Sequence, residues 1–166
     1  MYRLTWIAAA CVLCLALVNL ASAQTATTSQ SVNLAVNQFS KIAVSGNPAA
    51  MTITTGTAGV DNLTPVGDSS TTYSITHNNS TSSLRITAAI DVALTAGHTL
   101  TLKLASVKGT TAGFVDISTA TTAVNVVTNI ARGADAGNII TYRFNALASG
   151  GDMPTATKNV TLTITN

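Results

Sequence analysis

Asn159-Val160-Thr161-Leu162-Thr163-Ile164-Thr165-Asn166 sets three apolar residues in strict alternation with three threonines. Side chains on a strand point alternately to opposite faces, so this stretch has an apolar face and a hydroxyl face. β-Branched residues also favour the pleated, half-buried surface of a sheet. The same grammar recurs upstream. Leu100, Leu102 and Leu104 alternate with Thr99, Thr101 and Lys103, and Ile140, Tyr142 and Phe144 share another face. Val32, Leu34 and Val36 alternate with Asn33, Ala35 and Asn37.

Turn signals divide these runs: Gly46-Asn47-Pro48, His77-Asn78-Asn79-Ser80, Ala96-Gly97-His98 and Lys108-Gly109. Further strands are expected at Phe39–Val44, Met51–Thr54, Thr72–His77, Leu84–Ile90, Phe114–Ile117 and Val124–Val126. Gly56 to Ser70, Arg132 to Gly137 and Ala148 to Pro154 read as loops. Many short strands at such spacing, with no 3.6-residue apolar stripe, predict an all-β chain. The expected fold is a single antiparallel β-sandwich, Ig-like with Greek-key connections. Its core should include Leu100, Leu102, Leu104, Ile140, Tyr142, Phe144, Val160, Leu162 and Ile164.

The opening of the chain points to export. Met1-Tyr2-Arg3 is a short cationic start, Ile7 to Leu20 is an apolar run, and Ala21-Ser22-Ala23 precedes Gln24. That is the pattern of a cleaved secretory signal over residues 1–23. The apolar run is short for a bilayer core ~30 Å thick. The expectation is a secreted or surface protein, exported by a bacterial Sec-type route, with no membrane span and one domain over residues 24–166. Cys11 and Cys14 would leave with the signal, so no disulfide supplements the core.

The charge inventory is sparse: 8 Lys+Arg against 6 acids, every acid an Asp. There is no basic run with interleaved aromatics, so nucleic-acid binding finds no support. A neutral surface of Thr, Ser and Asn is little repelled by copies of itself. Paired carboxylates for acid–base work are not evident. Asp61, Asp68, Asp135 and Asp152 neighbour Gly, Asn or Ser, where aspartate stabilises turns through its own backbone, while Asp91 and Asp116 are expected to face solvent. His77 and His98 read as surface histidines at turn entrances, without the partners of a ligand set. No nucleophile elbow or calcium loop occurs. The expectation is a protein that is not an enzyme and needs no metal or cofactor. The threonine rows lack the period of a solenoid, which argues against an ice-binding array.

In layout the chain resembles bacterial fimbrial or filament subunits. Ser31-Val32-Asn33-Leu34-Ala35-Val36-Asn37 follows the expected cleavage site, and Asn159 to Thr165 forms the last strand. It differs from chaperone–usher pilins in having no cysteine pair after residue 23 and no penultimate tyrosine. The resemblance implies a filament subunit whose partners are copies of itself. Residues 24–37, through Val32, Leu34 and Val36, would add as a strand to a neighbour's edge near Val160, Leu162 and Ile164. Ser31 to Asn37 can equally be the first strand of its own domain. A second class stays open, a monomeric secreted adhesion module for a glycan or a protein. The scarcity of aromatics after residue 23 (Tyr73, Tyr142, Phe39, Phe114 and Phe144) weighs against a glycan platform.

Overall fold

The structure, a computed structural model, describes residues 26–80 and 84–166. The expected signal, residues 1–23, lies outside them, as do residues 24 and 25 of the proposed donor segment. The chain divides into two compact units, Met1–Val36 and Asn37–Asn166. In the first, residues 26–36 are exposed and form no strand. The alternation of Ser31 to Asn37 therefore does not produce the first strand of the fold.

The second unit is all-β: β1 (Ser40–Val44), β2 (Val66–His77), β3 (Leu84–Ile90), β4 (His98–Leu104), β5 (Thr110–Thr111), β6 (Val115–Asp116), β7 (Val124–Ile130), β8 (Gly133–Ala146) and β9 (Val160–Thr165). They form two antiparallel sheets, ordered β1-β2-β8-β4-β6 and β5-β7-β3-β9. The ladder between β4 and β8 runs without interruption from His98↔Ala146 to Leu104↔Ile140. It sets Leu100 opposite Phe144 and Leu102 opposite Tyr142, so one face of both strands is apolar.

Both sheets contribute to one buried cluster. Tyr73, Ile75, Leu102, Leu104 and Ile140 come from the first sheet, and Leu84, Ile86, Ala88, Ile90, Val126, Val127 and Ile130 from the second. Each large aliphatic side chain buried there contributes about 1.5–3 kcal/mol. Of the nine expected core residues, Leu100, Leu102, Leu104, Ile140 and Tyr142 are buried, whereas Phe144, Val160, Leu162 and Ile164 are only half-covered.

Several local expectations need correction. Met51 to Thr54 forms no strand, and β2 begins at Val66, inside the expected loop. Residues 133–137 belong to β8, not to a loop. His77 and His98 are buried, at 2% and 6% exposure. His77 is in phase with Thr71, Tyr73 and Ile75, and His98 with Leu100 and Leu102, so strand parity turns both rings inward. The His77 Nε2 lies 2.9 Å from the Ala131 carbonyl. The His98 ring stacks on Phe144 with centroids 6.2 Å apart, and its Nδ1 is 3.0 Å from the Thr95 hydroxyl. Asp135 is buried as well. Its Oδ2 accepts from the Ser106 hydroxyl and from the Val107 and Lys108 amides, each at 3.4 Å. Tyr73 donates to the Ala105 carbonyl beside that turn, and burial raises its phenol pKa.

At the β4 and β8 ends two loop backbones touch. Gly97 has φ +85°, and a Cβ there would lie 2.5 Å from Gly150 Cα. Gly97→Ala should therefore combine left-handed strain with a backbone clash and destabilise by about 2 kcal/mol or more. Leu102→Ala should remove about 2–5 kcal/mol by opening a cavity at a fully buried site. Denaturant midpoints of the two variants against the unsubstituted chain test both expectations.

Candidate functional site

The two sheets are not bounded alike on their two sides. On one side β5 ends one sheet and β6 ends the other, and residues 112–114 join them directly. On the other side the edges are β1 and β9, which lie alongside each other with no strand beyond either among the described residues. Between them opens a groove of ≈ 500 Å³. Ile42 and Val44 line it from β1, Val160 and Leu162 from β9, and Leu100, Ile140, Tyr142 and Phe144 from β4 and β8. Most of these side chains belong to the core or pack against it. Burial of the Tyr142 phenol raises its pKa. A second cavity, ≈ 880 Å³, shares Met51, Phe144, Met153 and Lys158 with the first, so the depression continues along residues 151–159.

Backbone parity decides what the edges offer. The Asn159 carbonyl accepts from the Asp91 amide, toward β3, at 3.0 Å. N–H and C=O groups of successive strand residues point to alternate sides, so those of Val160, Leu162 and Ile164 face away from β3. The same reasoning applies to β1. The Phe39 carbonyl and Ser45 amide are bonded to Asn78 and Thr72, which leaves the groups of Ser40, Ile42 and Val44 on the open side. At both edges the residues whose side chains face inward are also those whose backbone groups are open to a further strand.

Of the expected acceptor residues, Val160 and Leu162 line the groove, and Ile164 packs against the core without lining it. The expected donor residues Val32, Leu34 and Val36 are 69%, 89% and 85% exposed and lie in the other compact unit. Reading the sequence missed Ile42, Met51 and Leu94 as groove residues. Their apolar character marks them for burial, but nothing local says that no strand covers them.

The remaining polar groups serve turns and junctions. Asp61 accepts from the Ser149 amide and hydroxyl, each at 2.8 Å. Asp68 accepts from the Ser70 hydroxyl, which holds its carboxyl below the usual aspartate range. Asp116 is exposed and accepts from the Ser118 amide. Among the described residues no three His, Cys, Asp or Glu side chains form a metal-holding group. Nor is any described helix long and apolar enough to cross a membrane.

The open edge strand is pinned at its start. Asp91 accepts from the Asn159 side chain at 2.8 Å and from its amide at 3.1 Å. The side-chain bond, helped by the backbone bond, holds the Asp91 carboxyl below the usual aspartate range. A carboxyl with a depressed folded-state pKa stabilises at pH above its unfolded value and loses that contribution as pH falls through the folded one. Asp91→Asn should therefore lower the denaturant midpoint at neutral pH, and the gap to the unsubstituted chain should close as pH drops through and below the usual aspartate range. A gap independent of pH would refute an ionised clasp.

Comparison with family models, with curated proteins and with solved structures returns no match to this chain.

Proposed function

We propose that this chain is a structural subunit of an extracellular or cell-surface filament, of the bacterial fimbrial kind. In this reading the signal over residues 1–23 exports it and the two sheets make an Ig-like β-sandwich. Neighbouring subunits join by β-strand addition, with residues 26–37 of one copy entering the groove between β1 and β9 of the next. The observation that carries the reading is a match within one chain. The groove leaves Ile42, Phe144, Val160 and Leu162 half-covered between two edges that, among the described residues, pair on one side only. Meanwhile Val32, Leu34 and Val36 stand exposed with the alternation of a strand that has an apolar face. β-Augmentation divides its work in this way: backbone hydrogen bonds give affinity and alternate side chains give specificity. Open edges of this kind invite pairing with another chain. The neutral, threonine-rich surface opposes self-association little.

The reading as a monomeric adhesion module draws less support. Glycan platforms need an accessible aromatic face, and Phe114, the one exposed ring of the second unit outside the β1 junction, lies under the Arg143 guanidinium at 4.0 Å. The proposed protein is not an enzyme and uses no cofactor.

Deleting residues 26–37 should abolish filaments seen by electron microscopy and leave a less stable monomer. A synthetic peptide of that segment, added in trans, should bind the truncated chain and raise its melting temperature. Leu34→Asp in the peptide loses the burial of one large aliphatic, about 1.5–3 kcal/mol, and should weaken binding roughly 10- to 100-fold. Normal filaments from the truncated chain, or a clean monomer from the intact one, would refute the reading.

A further inference from the structure

We infer the polarity and register of the subunit contact: a neighbour's segment enters the groove at its Val160 end and runs antiparallel to β9, pairing Val36 with Val160, Leu34 with Leu162 and Val32 with Ile164. The inference rests on the proposal of strand addition and adds to it the direction of growth.

It starts from where the chain leaves its own body. Asn78 holds that point. Its Oδ1 accepts from the Phe39 amide at 2.7 Å, its Nδ2 donates to the Asn37 carbonyl at 2.8 Å, and its own amide donates to the Phe39 carbonyl at 3.2 Å. Gln38 adds a bond from Nε2 to the Asn79 Oδ1 at 3.0 Å and another to the Ser80 hydroxyl at 3.2 Å. Asn79 in turn donates from Nδ2 to the Asn166 side chain at 2.9 Å. The turn after β2 thus gathers the base of the N-terminal segment and the end of β9 at one end of the unit. The groove's other end lies at Pro48, Met153 and Val160.

Two entry directions are possible. A segment entering at the Asn166 end would run parallel to β9. It would also bring its own body to the end from which the recipient's segment departs, which pairs two copies face to face and closes the assembly. Entry at the Val160 end places the incoming body opposite the recipient's exit point. That contact is head-to-tail and leaves a free groove and a free segment at opposite ends of every pair, so it propagates wherever its rotation does not close a ring. It runs antiparallel to β9, where the ladder is the more stable per residue, and parallel to β1.

Side-chain parity then selects the register. The inward face of the segment reads Gln30, Val32, Leu34, Val36, Gln38, and that of β9 reads Val160, Leu162, Ile164. One antiparallel register sets all three apolar pairs opposite each other. A shift of one residue turns Asn33 and Asn37 inward. A shift of two replaces an apolar pair with the amide of Gln30 or Gln38 facing the core, where an unpaired polar group is costly. Because the β9 residues present open backbone groups, these are hydrogen-bonded pairs with Cα atoms about 5.5 Å apart, within reach of a disulfide. Val36 would be held by the neighbour and Asn37 by its own Asn78, so successive bodies abut without a slack linker.

Cysteine pairs read the geometry directly. The full chain carrying V36C with V160C, or L34C with L162C, is oxidised under mild conditions and run on a non-reducing gel. The single variants and the unsubstituted chain run alongside, the last to register Cys11 and Cys14. Both pairs should give a ladder of covalent oligomers that reducing agent collapses. The pairs V36C with I164C and V32C with V160C, which parallel entry would join, should stay monomeric. A discrete covalent dimer from V36C with I164C, or filaments under reducing conditions without a ladder from either antiparallel pair, would overturn the polarity while leaving strand addition in place. Absence of any assembly under reducing conditions overturns both.

Discussion

The ladder between β4 and β8 is the constraint on which the rest of the molecule hangs. It is unbroken from His98↔Ala146 to Leu104↔Ile140, so the parity of one strand commits the parity of the other. Where one face of a strand is buried, a slip of one residue would move every apolar side chain to the wrong side. Leu100, Leu102, Leu104, Ile140 and Tyr142 therefore all turn to the same core. The same parity carries the rings of His98 and, through β2, His77 inward, and each finds an oxygen partner there. Buried polar groups are tolerated when they are paired, and the Asp135 carboxylate follows the rule by collecting the amides of the turn at Val107 and Lys108.

From that centre the two sheets grow outward to unlike margins. The chain seals one side itself by stepping from β5 to β6 across three residues. On the other side, β1 and β9 end their sheets and leave Phe144, Val160 and Leu162 half-covered at the wall of a groove. Half-covered core residues at an open edge are an energetic liability for an isolated domain, since each apolar surface left in water forgoes burial. The reading as a filament subunit turns this liability into the contact itself. It also accounts for an exposed segment that alternates Val32, Leu34 and Val36 and forms no strand.

Much of the fold was legible in the residues. The clean alternation of β4, β8 and β9 located three strands because burial on one face leaves a period of two in the sequence. Glycine and asparagine turns marked most of the boundaries. The failures share one cause. Residues 133–137 look like a loop because of two glycines and an aspartate, yet they extend β8, where Asp135 is held by the turn at Ser106, distant in sequence. Met51 and Ile53 alternate with threonine but find no partner strand, and alternation without a partner does not make a ladder.

By itself, the sequence determined that this is an all-β chain with an aliphatic core, poor in charge and in aromatics. Those properties are local: β-branching, side-chain parity and turn chemistry act within a few residues. Only the tertiary structure decided which strands are edges, because pairing joins residues far apart in the chain, as Ile86 is joined to Ile164. Val160 and Leu102 are indistinguishable in their local pattern. One sits at the wall of an open groove and the other is fully buried, because β9 has a neighbour on one side and β4 has neighbours on both.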